Sequence, residues 1–302
     1  MIICAVGVFI DISVITVAPI ALAIGKKSGY HKEALLLAMI GGGKAGNIIS
    51  PNPNTIAVSE AFKVDLTSLM MKNFISAICA VVVTILLSTM LSKKQGVQVT
   101  ENDLEQKEDK NLPSFIQAVA GPVVVVILLA LRPVASIVID PLIALPVGGV
   151  VCALACGQIK NIREYAEFGL GKVVGVSVLL IGTGTIAGII KASALQYDVV
   201  HILKMANMPA FLLAPIAGIL MAGATASTTA GATIGAQTFA GTLIKSGVSA
   251  LSAGAMVHAG ATVIDSLPHG SFFHATGGAA GLEIKERMKL IPYEMCVGLT
   301  ST

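Results

Sequence analysis

Residues Gly41–Thr55 read GGGKAGNIISPNPNT and concentrate polar chemistry within an otherwise apolar chain. These fifteen positions hold four glycines, a lysine, three asparagines and two prolines. Asn47, Ser50, Asn52, Asn54 and Thr55 are of types that cap helix ends and donate to carboxylates or hydroxyls. Their competing use is to cap the broken backbone itself. Lys44 is the cation of the stretch. A charge at membrane depth costs about 2.5–3.5 kcal/mol on insertion scales, which makes it a functional candidate. It can neutralise a substrate carboxylate or reach an interface. Gly41–Gly43 weaken a helix through backbone entropy, and Pro51 and Pro53 remove donors and clash with the preceding turn. The stretch therefore predicts a broken helix. Its freed backbone groups need protein or a water-lined cavity to satisfy them.

Two later stretches have the same character. ATASTTAGATIG holds Ser227, Thr228 and Thr229, whose hydroxyls can contact a ligand or back-bond to the helix. ATVIDSLPHGSFFHATGG holds Asp265, Ser266 and His269. Asp11 and Asp265 are the acids in apolar surroundings. Burial disfavours a charged carboxylate, which suits a carrier of coupling protons. Asp265, inside a broken segment, is the stronger candidate; capping or a salt bridge to Lys44 are its other uses. His258, His269 and His274 are spaced by eleven and then five residues, unlike a helical metal pair at i, i+4. No metal is expected. His269, after Pro268, is the best proton-linked or substrate-contacting histidine.

The elements that carry these residues follow from composition. Of 302 residues, 55% are hydrophobic and 12% charged, against about 25% charged in a soluble domain. Mean hydropathy is +0.85. Apolar runs near eighteen residues recur, so the chain reads as an all-α polytopic membrane protein. The net charge of +3 is spread over short loops and excludes a nucleic-acid partner. Without Trp, the interfacial aromatic belt is thin. The five cysteines show no metal or redox pattern and read as small buried hydrophobes. No nucleophile is set beside a base and an orienting group, so no enzyme is read.

Met1–Ile24 is an apolar segment interrupted near Asp11 and Ser13, and Tyr30–Glu60 is the first broken segment. Asn73–Leu91 is a clean span, and Lys93–Leu112 reads as a solvated linker. Pro113–Leu131, Val134–Cys156 (bent by prolines) and glycine-rich Phe168–Ile190 follow, with Ala192–Met208 as a partly amphipathic connection. Pro209–Gly223 runs into the serine–threonine break, and Val248–Gly278 is the second broken segment.

The order of events repeats. Lys27-Ser28-Gly29 recurs as Lys245-Ser246-Gly247, 218 residues on, and at that offset Asn47 meets Asp265. One residue is then lost, so Pro51 meets Pro268. This divides the chain into residues 1–92 as a first-repeat transport part, 93–112 as a hydrophilic linker, and 113–302 as a second repeat. The second repeat comprises scaffold spans 113–208 and a transport part 209–302. The repeat also leads us to expect a chain shortened by about three spans at its start and part of one at its end.

GNIISPNPNTIAVSEAF, the upstream FIDISVITVAPIALAI, AGATASTTAGATIGAQ and AGATVIDSLPHGSFFHATGG together resemble the gluconate permease family. The resemblance covers most of the chain and is most specific at Gly46–Phe62. It implies proton symport of gluconate-like sugar acids, inverted repeats with re-entrant hairpins and interrupted helices, and a homodimer. Gluconate-transporting members typically read SH-x-ND-x-GFW where this chain reads Asp265-Ser266-Leu267-Pro268-His269-Gly270-Ser271-Phe272-Phe273. The implied substrate is therefore a small organic anion, a sugar acid or hydroxycarboxylate, rather than gluconate specifically.

The expectation is a secondary transporter in the cytoplasmic membrane, needing no cofactor beyond a coupling ion, H⁺ or else Na⁺. Its site is built from Asn47–Thr55 and Ser227–Thr229, with Asp265–Gly270 closing it. A channel-like protein or an inactive transporter fragment are the alternatives.

Overall fold

The computed structural model describes residues 1–104, 113–135, 137, 139–194, 197–198, 201–202, 205 and 209–302. Among these, all regular structure is helical. The first half carries α1 (Ile2–Ala5), α2 (Ile10–Ser28), α3 (Lys32–Asn47), α4 (Pro53–Phe62), α5 (Leu66–Lys72) and α6 (Phe74–Ser92). Then come α7 (Phe115–Ala135), α8 (Pro141–Ala155) and α9 (Ile162–Ala192). The last part carries α10 (Leu213–Thr225), α11 (Thr228–Lys245), α12 (Ala250–Gly260), α13 (Ser271–Ala279), α14 (Ile284–Met288) and α15 (Ile291–Ser301). Among the described residues, α6 is long and apolar enough to cross a membrane alone. Shorter apolar helices occupy Ile116–Leu129, Leu142–Ala155 and Ala210–Thr225.

The chain forms two compact units, Met1–Glu105 with Leu180–Thr302, and Gln106–Leu179. In the second unit α7 packs on α8 around Val125, Leu129 and Ala144. The larger unit holds both broken segments, and its element boundaries repeat. Helices α2 and α11 begin at Ile10 and Thr228, and α3 and α12 at Lys32 and Ala250. After the lost residue, α6 and α15 begin at Phe74 and Ile291. Both α2 and α11 run into a left-handed glycine, Gly29 at φ 74° and Gly247 at φ 84°, a conformation open to a residue without Cβ. The packing crosses between the halves: α4 lies on α11 and α12, α13 lies on α2, and α15 lies on α3 and α6. Val58, Phe62 and Leu69 of the first half share a core with Leu213, Phe239 and Val257 of the second.

The helix breaks at Ile48–Asn52, not at the glycines. Gly41 and Gly43 lie inside α3, where a Cβ on the first would collide with Thr84 and on the second with Ile10. Gly46 is held against Cys4 in the same way. The glycines serve close packing of α3 on its neighbours, and packing outweighs their entropy cost. The interruption near Asp11 falls just before it, at residues 6–9 between α1 and α2, with Gly7 at φ 109°.

The first part of the expected linker, through residue 104, keeps most of its polar side chains exposed, and it is also tied to the unit at several points. Lys32 N–H donates to Val97 O (2.9 Å), and Val97 N–H donates to Glu33 Oε2 (2.9 Å). Lys32 Nζ bonds Asp103 Oδ1 (2.6 Å) and Gly281 O (3.2 Å), and Lys26 pairs with Glu101. Residues 105–112, and parts of the Ala192–Met208 connection, lie outside the described residues. Of the five cysteines only Cys4 is buried; Cys79 and Cys296 are exposed. Their small apolar side chains sit on the faces of α6 and α15 that the unit does not cover.

Candidate functional site

Asn47 ends α3, and Pro51 and Pro53 prevent the helix from continuing. Asn52 then caps α4, with Pro53 in its first turn, where a missing N–H costs nothing. Asn52 Oδ1 accepts from Asn54 N (2.9 Å), Thr55 N (3.0 Å) and Thr55 Oγ1 (3.2 Å). Its Nδ2 donates to Asn47 O (2.8 Å), to Ser50 Oγ (2.6 Å) and to Asn47 Oδ1. Asn54 Nδ2 reaches Asn47 Oδ1 at 3.3 Å, and Asn73 Nδ2 holds Ile48 O at 3.1 Å. Asn47, Ser50, Asn52, Asn54 and Thr55 are all buried. Two of their polar atoms remain unpartnered, the donor Asn47 Nδ2 and the acceptor Asn54 Oδ1. A buried amide group left unpaired costs about 1–3 kcal/mol. The cluster therefore offers one donor and one acceptor to a ligand.

The second break is longer because its helix ends sooner. Helix α12 stops at Gly260, so the residues matching the last turn of α3 are unwound. Thr262 and Asp265 lie in this unwound stretch. Lys44 Nζ donates to the backbone carbonyl of Thr262 and to Asp265 Oδ1, the latter at 2.7 Å. Lys44 and Thr262 are 218 residues apart, so Lys44 bonds the residue at its own corresponding place in the other half. The last turn of α3 meets the second break at this point. Thr228 Oγ1, in the first turn of α11, donates to Asp265 Oδ2 (2.6 Å), and Ser266 Oγ donates to Oδ1 (3.0 Å). The Lys44 and Asp265 side chains are each 1% exposed. Such a pair persists only if its hydrogen bonds and mutual attraction offset the loss of water. Of the three protons on Lys44 Nζ, these contacts use two.

The other candidates fall at the edge or apart. Ser227 caps α11 through Ala230 N–H (3.3 Å), after Ala226 at φ 46°, and Thr229 is half-buried beside it. Asp11 is half-buried and accepts the Ile12 N–H (2.9 Å); no described hydrogen bond links it to Asp265. His269 is exposed, while His274 Nε2 meets Pro268 O at 2.7 Å. The sequence reading missed three features. The Thr262 carbonyl carries no side-chain signal. His258 is fully buried, with both ring nitrogens unpartnered. Arg287 and Glu294, both 1% exposed, form a buried ion pair with Arg287 over the Phe273 ring at 4.9 Å. Arg287 lies on α14 and Glu294 in the first turn of α15, so no periodicity within one helix signals the pair.

Residues 1–297 match the profile of the GntP family permeases. The chain belongs to that family. It is also 52% identical, over all 302 residues, to a Haemophilus influenzae protein described as an uncharacterized transporter, covering 72% of that protein. No solved structure matches the chain. A GntP permease is a multi-pass membrane transporter and not an enzyme. In this permease the buried Lys44–Asp265 pair joins the last turn of one interrupted helix to the unwound stretch that follows another.

Proposed function

We propose that this permease carries a small hydroxylated organic anion, a sugar acid or hydroxycarboxylate, together with a proton. The observation that carries the reading is the buried Lys44–Asp265 pair on the same helix turn as an unsatisfied amide cluster. Lys44 and Asn47 are three residues apart on α3 and so share a face. A substrate carboxylate competes with Asp265 for the lysine. Asn47 Nδ2 donates to the anion, and Asn54 Oδ1 accepts from a substrate hydroxyl.

Charge balance supplies the coupling. The resting pair is neutral, and an entering anion leaves one negative charge in excess in a dry site. A proton on Asp265 removes that excess as Lys44 turns to the substrate. Anion and proton therefore enter together, and neither is stable there alone. Inverted repeats and a homodimer, as the family resemblance implies, complete the alternating-access reading.

The test is uptake of labelled sugar acids and hydroxycarboxylates into proteoliposomes, with and without an inward proton gradient. Saturable uptake stimulated by the gradient, lost in Asp265→Asn and half-saturated at about tenfold higher substrate in Asn54→Ala, is the expected result. No saturable uptake of any of these anions under proton or sodium gradients rejects the proposal.

A further inference from the structure

We propose that the second break is a monovalent-cation site that Lys44 fills with its own ammonium group, and that removing this side chain opens the site to Na⁺ or Li⁺. The inference stands on the geometry alone, whatever anion the permease carries. The groups on Lys44 Nζ are hard oxygens, the backbone carbonyl of Thr262 and Oδ1 of Asp265. Such oxygens bind metal cations as readily as they accept hydrogen bonds from an ammonium. Thr262 lies just past the C-terminus of α12, the end where helix carbonyls are unpaired and the dipole is negative. The hydroxyls of Thr228 and Ser266 each donate to Asp265, which leaves their own lone pairs for a small ion or its water.

The comparison of the two halves explains why the site is filled from within. The first half has Asn47 where the second has Asp265, and Lys44 where the second has Thr262. One half thus supplies the oxygens and the single negative charge, and the other supplies the cation. Without Lys44, Asp265 would be an unpaired charge at 1% exposure. Among the described residues, the other fully buried ion pair in this unit, Arg287–Glu294, balances its own charge and offers no compensation. The vacated oxygens, with a single carboxylate, then suit a monovalent ion.

The experiment compares thermal unfolding of purified wild type, Lys44→Ala and Lys44→Ala/Asp265→Asn in choline, Na⁺, Li⁺ and K⁺ chloride at constant ionic strength. Direct ²²Na⁺ binding is measured on the same samples. Lys44→Ala is expected to gain saturable ²²Na⁺ binding and a rise in Tm on the order of 2–4 °C in Na⁺ or Li⁺. Wild type and the double variant should show neither. A folded Lys44→Ala protein indifferent to all three alkali ions overturns the proposal, as does equal Na⁺ binding by the wild type. If Lys44→Ala is recovered folded in none of the salts while the double variant folds, the proposal also falls, because no cation then replaces the ammonium. None of these readouts depends on uptake, so they separate this site from the substrate reading.

Discussion

The two breaks occupy corresponding regions of the two halves and differ in chemistry. The first spans residues 48–52 and is bridged by its own amides, Asn52 alone bonding Asn47, Ser50, Asn54 and Thr55. The second spans residues 261–270, and the Gly270 N-cap of α13 offers no side chain to the helix N–H groups. Its charge, Asp265, is held by a lysine from the other half and a threonine from α11. The first break is therefore a local structure, and the second depends on its neighbours.

The sharpest way to break that comparison is to remove one member of the ion pair. Lys44→Met or Asp265→Asn alone leaves an uncompensated buried charge or an idle ammonium, and each should cost about 3–5 kcal/mol. The double variant should recover most of the loss, read as Tm in detergent. Additive losses would mean the two halves are not coupled through this pair. The next effect is in the first break. Asn52→Ala removes the α4 cap and should cost about 1–2 kcal/mol, whereas Ser227→Ala loses one long bond and should fall near 0.5 kcal/mol. Equal losses, measured by denaturant unfolding, would contradict a self-supported first break. Asn54→Ala should cost under about 1 kcal/mol of stability, since it forfeits one 3.3 Å side-chain bond. It should nevertheless weaken substrate binding about tenfold, the worth of one hydrogen bond to a ligand. A competition assay in proteoliposomes checks this.

The smallest effect concerns the strap through residue 104, outside both breaks. Burial pushes the Asp103 carboxyl up, but the bonds from Lys32 and Thr100 outweigh it and hold it below its ordinary value of 3.8. A carboxylate lowered on folding contributes stability above that value and loses it as pH falls through the folded one. Protection of the Val97 amide, relative to its intrinsic exchange rate, should thus fall below about pH 4 in the wild type. In Asp103→Asn it should be lower at neutral pH and less dependent on acid. Unchanged protection in that variant would detach Asp103 from the strap.

Much of this was legible in residue types. Pro51, Pro53 and the asparagines between them mark a break because no helix satisfies that backbone, and the α4 cap follows from Asn52 alone. The 218-residue offset was visible in Lys-Ser-Gly, and it locates helix starts because the left-handed glycine ends α2 and α11 alike. The glycines misled, since Gly41–Gly43 look like helix breakers until Thr84 and Ile10 are seen against them. The polarity of Lys93–Leu112 indicated exposed side chains, as residues 93–95, 98 and 100–101 have, but not that Glu33 and Lys32 bind the backbone at Val97.

By itself, then, the sequence determined the apolar all-α architecture, the places where helices must break, and the side chains at those breaks. These are local consequences of propensity, periodicity and backbone donors. Only the tertiary structure decided that Lys44 faces Asp265 rather than an interface, that Thr262 contributes through its backbone, and that α4 and α13 each pack on the opposite half. Those facts depend on which surfaces meet across some two hundred residues of chain, and no local pattern encodes such a meeting.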